Sequence, residues 1–337
     1  MKSKRILYLE QLRAFAAILV VVIHVASQNW KVAPIDSIDW AIMNVYDSFA
    51  RIAVPIFVMI SGAIFLSKER IITIRDIFKK YIAHIFLVLM IWSFAYAIFY
   101  YFRNGETLTK LWTRFVGGHY HLWYLFMLIG LYLILPLLKK MTESKELTEY
   151  FLILSFVLTS FIPTIVKIPG LKWLNDPFSS LHYHFTVGYS SYFVLGHYLH
   201  EYQLKEKQQN IIYLLGLLGL LFTILSTHWM TQLNQAAYKG FYNNFCVGVV
   251  FEAIAVFTYF KYHSLKMEKI PLFIAKYSFG IYLVHVFVLD QLKYYGIHTL
   301  MYPALIAVPM LIIIVFVGSL LISYFLNHLT FLAKYIF

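Results

Sequence analysis

The chain has 337 residues, 61% of them hydrophobic and 13% charged, and a mean hydropathy of +0.71. A soluble domain carries about twice that charged fraction, so the composition excludes a soluble globular protein and describes an all-α transmembrane bundle forming one domain over 1–337. The net charge of +12 is no argument for nucleic acid, because lysine and arginine collect in the cytoplasmic loops of membrane proteins generally.

A helix needs about 20 apolar residues to cross the hydrocarbon core. Runs of that kind predict ten spans, at 9–28, 44–66, 79–102, 122–139, 149–166, 183–200, 210–227, 243–260, 271–292 and 303–326. The first follows a basic stretch, Met1 to Arg5, and Val25-Ala26-Ser27 has the look of a cleavage site. Glu10, Arg13 and His24 interrupt that apolar run and argue that it is kept as a first helix. The longest connections, 29–43, 103–121 and 167–182, all fall on one side. No internal repeat is present. The single cysteine, Cys246, has no partner for a disulfide and reads as small apolar filler.

About twice as many lysines and arginines fall in one set of alternate loops as in the other. That asymmetry predicts both termini on the cytoplasmic side and the longer loops outside. Arg13, Arg51 and Lys276 fall within spans.

The first helix carries an ionisable stripe. Arg13 and His24 are eleven positions apart, about 20° past three full turns and about 16 Å along the axis, so they share a face. Glu10 precedes Arg13 by three, the spacing of neighbouring side chains. Ionisable groups at membrane depth cost about 2.5–3.5 kcal/mol each on insertion scales and usually face a bundle interior or a wet cavity. Snorkelling of Arg13 and an interfacial His24 are the bland alternatives.

Tyr8-Leu9-Glu10-Gln11-Leu12-Arg13, followed after ten residues by His24, resembles the first-helix motif of the acyltransferase-3 family of membrane acyltransferases. Phe49-Ala50-Arg51-Ile52-Ala53-Val54-Pro55-Ile56-Phe57 with Ile60-Ser61-Gly62 resembles its second helix. His121-Leu122-Trp123-Tyr124-Leu125 with Gly130-Leu131-Tyr132, Tyr192 to Gly196, and Ser278 to His285 resemble the fourth, sixth and ninth. The pieces run in the family's order from about residue 6 to 326.

The resemblance implies a ten-helix enzyme. It would take an acyl group, usually acetyl, from cytoplasmic acyl-CoA and place it on a hydroxyl of an extracytoplasmic glycan or a lipid-linked precursor. The same resemblance makes His24 catalytic and ties Arg13 to the donor, with Glu10 holding Arg13. An acceptor hydroxyl needs a base, which an uncharged imidazole supplies; an acyl-histidine intermediate is the other route. The family often has Arg-x-x-Arg entering the third helix, where this chain reads Lys79-Lys80-Tyr81-Ile82-Ala83-His84. Tyr81 and His84 then stand at the arginine positions. Arg70, Arg75, Lys79, Lys80 and His84 are expected at the face where the CoA phosphates need cations, though each also fits the ordinary positive-inside excess. Arg51 is expected near the acceptor or the donor tail, or snorkelling outward. Trp123 and Tyr124 read as sugar-stacking or interfacial aromatics, and His285 as cavity-facing or structural. Ser61 and Gly62 read as close helix packing.

His119, His121, His182 and His184 are expected outside, with no cysteine or clustered carboxylate to make them a metal site. Glu252 lies deep in the eighth span, protonated or paired across the bundle. The chain ends at Phe337 without an esterase-like domain, which predicts transfer directly to the acceptor. The expected partners are acyl-CoA, a glycan acceptor and membrane lipids, in a bacterial cytoplasmic membrane. A glycan transporter or flippase is the competing reading, but transporters often carry inverted repeats.

Overall fold

The computed structural model describes residues 6–171, 188–264, 266 and 268–329, and among these the only regular elements are helices. In chain order they are α1 (Leu7–Ala26), α2 (Ile38–Ala50), α3 (Ala53–Phe65), α4 (Ile74–Asn104), α5 (Leu108–Gly117), α6 (Trp123–Met141), α7 (Lys145–Ile165), α8 (Ser190–Glu201), α9 (Glu206–Asn234), α10 (Val247–Tyr262), α11 (Lys269–Tyr294) and α12 (Ala304–His328). Nine stretches among the described residues are long and apolar enough to cross a membrane. The sixth expected span, 183–200, is represented by α8, and its first residues lie outside the described ones.

Two expected loops contain helix. The 29–43 connection turns helical at Ile38, where the Ser37 side chain accepts a hydrogen bond from the Trp40 N–H. The 103–121 connection holds α5, opened by Thr107 as its N-cap. Leu108, Trp112 and Val116 recur at every fourth position of α5 and are exposed, giving it one apolar stripe.

The second expected span is two helices. Pro55 lacks an N–H, and its ring crowds the carbonyl four residues back, which is that of Arg51. The helix therefore breaks at Arg51 and restarts at Ala53.

α1 sits at the centre of the bundle, packed against α2, α3, α10, α11 and α12. It runs parallel to α11. Just past the end of α1, Asn29 donates to Thr299, just past the end of α11, and the Thr299 N–H donates to Gln28. α3 and α8 cross so closely that a Cβ on Gly62 would collide with the Phe193 carbonyl, and one on Gly196 with the Met59 carbonyl. Small residues permit this approach, and the backbones themselves form the contact.

Candidate functional site

An interior cavity of about 480 Å³ opens beside α1. Arg13, Val20, Ile23 and His24 form the α1 side. Arg51, Val54, Phe57 and Ser61 come from the broken second span, His84 and Ile85 from α4, and His121, Trp123, Tyr124 and Tyr132 from α6 and the turn before it. Asn244 and, on α11, Ala275, Lys276, Ser278, Phe279 and Tyr282 complete it. Arg13 and His24 thus share one cavity, and neither snorkels away from it.

At one end, the Arg13 Nη1 lies 3.1 Å from each carboxylate oxygen of Glu10. The pair is built into α1 by the i, i+3 spacing. At the other end His24 meets two further histidines. Its ring centroid is 4.8 Å from that of His285, and His285 is 5.5 Å from His121. His285 is completely buried behind His24 rather than lining the cavity.

The helix fixes the His285 tautomer. Its Nδ1 lies 2.7 Å from the Tyr282 carbonyl and 3.1 Å from that of Ile281, both acceptors only. Nδ1 therefore carries the hydrogen, and Nε2 keeps its lone pair. That Nε2 is buried and has no hydrogen-bond partner among the described residues, and the same holds for His121 Nε2. Two unsatisfied ring nitrogens side by side are costly in an apolar interior.

His121 and His119 were expected in an external loop. They do lie in the connection before α6, and the structure brings both to the histidine cluster. The Tyr282 hydroxyl donates to the His121 carbonyl over 2.7 Å, and the two Nδ1 atoms of His119 and His121 are 2.9 Å apart. His119 stacks on Tyr96 at 4.5 Å and on Tyr100 at 5.5 Å between centroids. Tyr96 in turn donates to the Leu283 carbonyl over 2.9 Å, fastening α4 to α11 next to His285. His182 and His184 lie outside the described residues.

Arg51 is not inside a helix, as expected, but at the α2–α3 break, where it faces the cavity. Its Nη2 is 2.5 Å from Asp47, which is fully buried, and its guanidinium lies 4.3 Å above the Tyr242 ring. Trp123 and Tyr124 both line the cavity, Tyr124 buried and Trp123 exposed.

The expected donor cations separate into two groups. Arg13 and His84 line the cavity, whereas Arg75, Lys79 and Lys80 are exposed and lie outside its lining. Arg70 covers Tyr81 instead, with Nη2 3.1 Å from the Tyr81 hydroxyl and its guanidinium 4.2 Å from the Phe65 ring. A loop arginine thus sits over the tyrosine that stands at a family arginine position. Ser61 lines the cavity in addition to preceding the Gly62 crossing. Glu252 is buried, does not line the cavity, and has neither carboxylate oxygen hydrogen-bonded among the described residues. Cys246 is buried and accepts a contact from the Thr164 hydroxyl at 3.7 Å.

Outside the spans, Glu106 receives both Arg114 Nε and Nη2, at 2.6 and 2.7 Å. That guanidinium holds the Glu106 carboxyl well below the usual range, at about 2.

No curated protein and no solved structure matches the chain. The model of the acyltransferase-3 family, described as an acyltransferase domain, matches residues 6–328, which include every cavity-lining residue named above. With nearly its whole length under that match, the chain belongs to the acyltransferase-3 family and is a multi-pass membrane acyltransferase.

Proposed function

We propose that this enzyme takes an acetyl group from cytoplasmic acetyl-CoA and transfers it across the bacterial cytoplasmic membrane to a hydroxyl of a surface glycan or its lipid-linked precursor. The observation that carries this reading is the single cavity with Arg13 near one end and the His24–His285–His121 cluster at the other. A donor entering from the Arg13 side and an acceptor from the His24 side would meet at His24.

The chemistry follows from the groups present. His24 removes the proton from the acceptor hydroxyl as its oxygen attacks the thioester carbonyl. A carbon–oxygen bond forms and the carbon–sulfur bond breaks. The imidazolium then returns the proton to the departing thiolate, so one histidine serves both sides and no net proton is consumed. Arg51, fixed by Asp47, supplies positive charge for the oxyanion that develops on the carbonyl. His285, whose tautomer leaves Nε2 as an acceptor, packs against His24 and positions its ring.

The test is purified protein with radiolabelled acetyl-CoA and candidate glycans. His24→Ala is expected to lose transfer by about 10²–10⁴-fold, the range of a general base, at wild-type expression. A fully active His24→Ala protein would sink the mechanism. Wild-type protein that neither binds nor turns over the donor would favour the transporter reading.

A further inference from the structure

The cavity contains three permanent cations, Arg13, Arg51 and Lys276. Two are already neutralised within their own segments. Arg13 spends its Nη1 on both Glu10 oxygens, and Arg51 is paired with Asp47. Lys276 differs. Among the described residues no carboxylate lies within 4.0 Å of its ammonium, and it makes no hydrogen bond; its one polar-type contact is with the ring of Tyr277, 5.0 Å from the centroid. It lies about two turns inside α11, lining the cavity, and the residue is exposed rather than buried, so its ammonium is open to an incoming anion. Lys276 is therefore the cavity arginine or lysine with no carboxylate partner among the described residues.

Its depth can be worked out from the helix. Lys276 precedes His285 by nine residues, about 14 Å along α11. Because α1 and α11 are parallel, Lys276 lies towards the Arg13 end while His285 lies against His24. In a coenzyme A thioester, the arm from sulfur to the first phosphate is about thirteen bonds. That equals roughly four extended residues, or about 15 Å. A thioester carbonyl held at His24 thus delivers its pyrophosphate to Lys276.

We propose that Lys276 is the pyrophosphate anchor of the donor site, and that the enzyme selects a nucleotide-bearing thioester over a bare pantetheine thioester through this one charge. The inference rests on the acyl-transfer reading above. Arg75, Lys79 and Lys80, which do not line the cavity, would then draw anionic donors towards its mouth. An ammonium can serve here, binding phosphate as a compact point charge with three rotatable donors.

The experiment compares acetyl-CoA with S-acetylpantetheine as donors for the purified full-length protein, measuring kcat and KM for each. Wild type is expected to prefer acetyl-CoA. In Lys276→Ala the ratio of kcat/KM for acetyl-CoA to that for S-acetylpantetheine should fall about 10- to 100-fold, the worth of a charge-assisted hydrogen bond, with the change in KM. Lys276→Arg should recover part of the ratio, and Lys276→Glu should lower it further. Turnover of S-acetylpantetheine by each variant reports that it is folded. An unchanged ratio in all three variants overturns the assignment while leaving acyl transfer standing. Wild-type protein inactive with both donors overturns the acyl-transfer reading itself, and the anchor with it.

Discussion

Replacing Gly62 by alanine tests whether the α3–α8 crossing sets the shape of the cavity. An added Cβ at Gly62 would lie against the Phe193 backbone, its carbonyl oxygen foremost. No rotamer change can relieve this, because the obstacle is main chain. A carbon normally approaches a carbonyl oxygen to about 3.3 Å, so the two helices have to part by roughly 1–2 Å. α3 carries Val54, Phe57 and Ser61 on the cavity wall, and these move with it. Overpacking of this kind costs about 1–3 kcal/mol, and a misplacement of about 1 Å at a reacting site can cost about 100-fold in rate. The assay is thermal unfolding in detergent, followed by size exclusion, alongside the acetyl-transfer rate. Gly130→Ala is the control, since a Cβ at Gly130 on α6 has nothing within 4 Å. If Gly62→Ala matched Gly130→Ala in both measurements, the crossing would not govern the site and the reasoning would fail.

His285→Phe keeps a ring of similar size but removes both nitrogens beside His24. It should lower kcat by about 100-fold with little change in donor KM and with an altered pH–rate profile; a kcat within threefold of wild type would reduce His285 to packing. Glu106→Gln tests the ion pair that anchors α5. Because Arg114 holds the Glu106 carboxyl at about 2, below its ordinary 4.5, the pair's contribution is complete above pH 4.5 and lost as pH falls through 2. The difference in thermal stability between wild type and Glu106→Gln should therefore be constant from pH 7 to about 5 and narrow only below 4.5; a difference that vanished by pH 6 would contradict it.

The α1 stripe was legible in the sequence because helical period is a local property. Eleven residues return Arg13 and His24 to one face, and three bring Glu10 to Arg13, whatever surrounds the helix. The break at Arg51 was written equally locally, in Pro55, but the continuous apolar run around it concealed the interruption. That His119 and His121 join the His24 cluster was not legible for a different reason. Their loop is polar and follows a glycine pair, so nothing nearby signals burial; Tyr282 and Tyr96, distant in sequence, draw them in. Charge counting found the basic face but not which cations turn inward. Arg75, Lys79, Lys80 and Lys276 are all exposed and look alike in composition, and only the packing of α4 and α11 puts Lys276 on the cavity wall.

The parallel course of α1 and α11 makes the two helices a matched pair of rulers graduated in units of one residue. Each measures the distance from a cation to a histidine, Arg13 to His24 on one and Lys276 to His285 on the other. A substitution between those marks leaves both scales intact. A single-residue insertion or deletion turns everything beyond it by about 100° and parts His24 from His285. Substitutions along these two segments are therefore tolerable where changes of length are not, and the bonds from Gln28 and Asn29 to Thr299 fix where the two scales end.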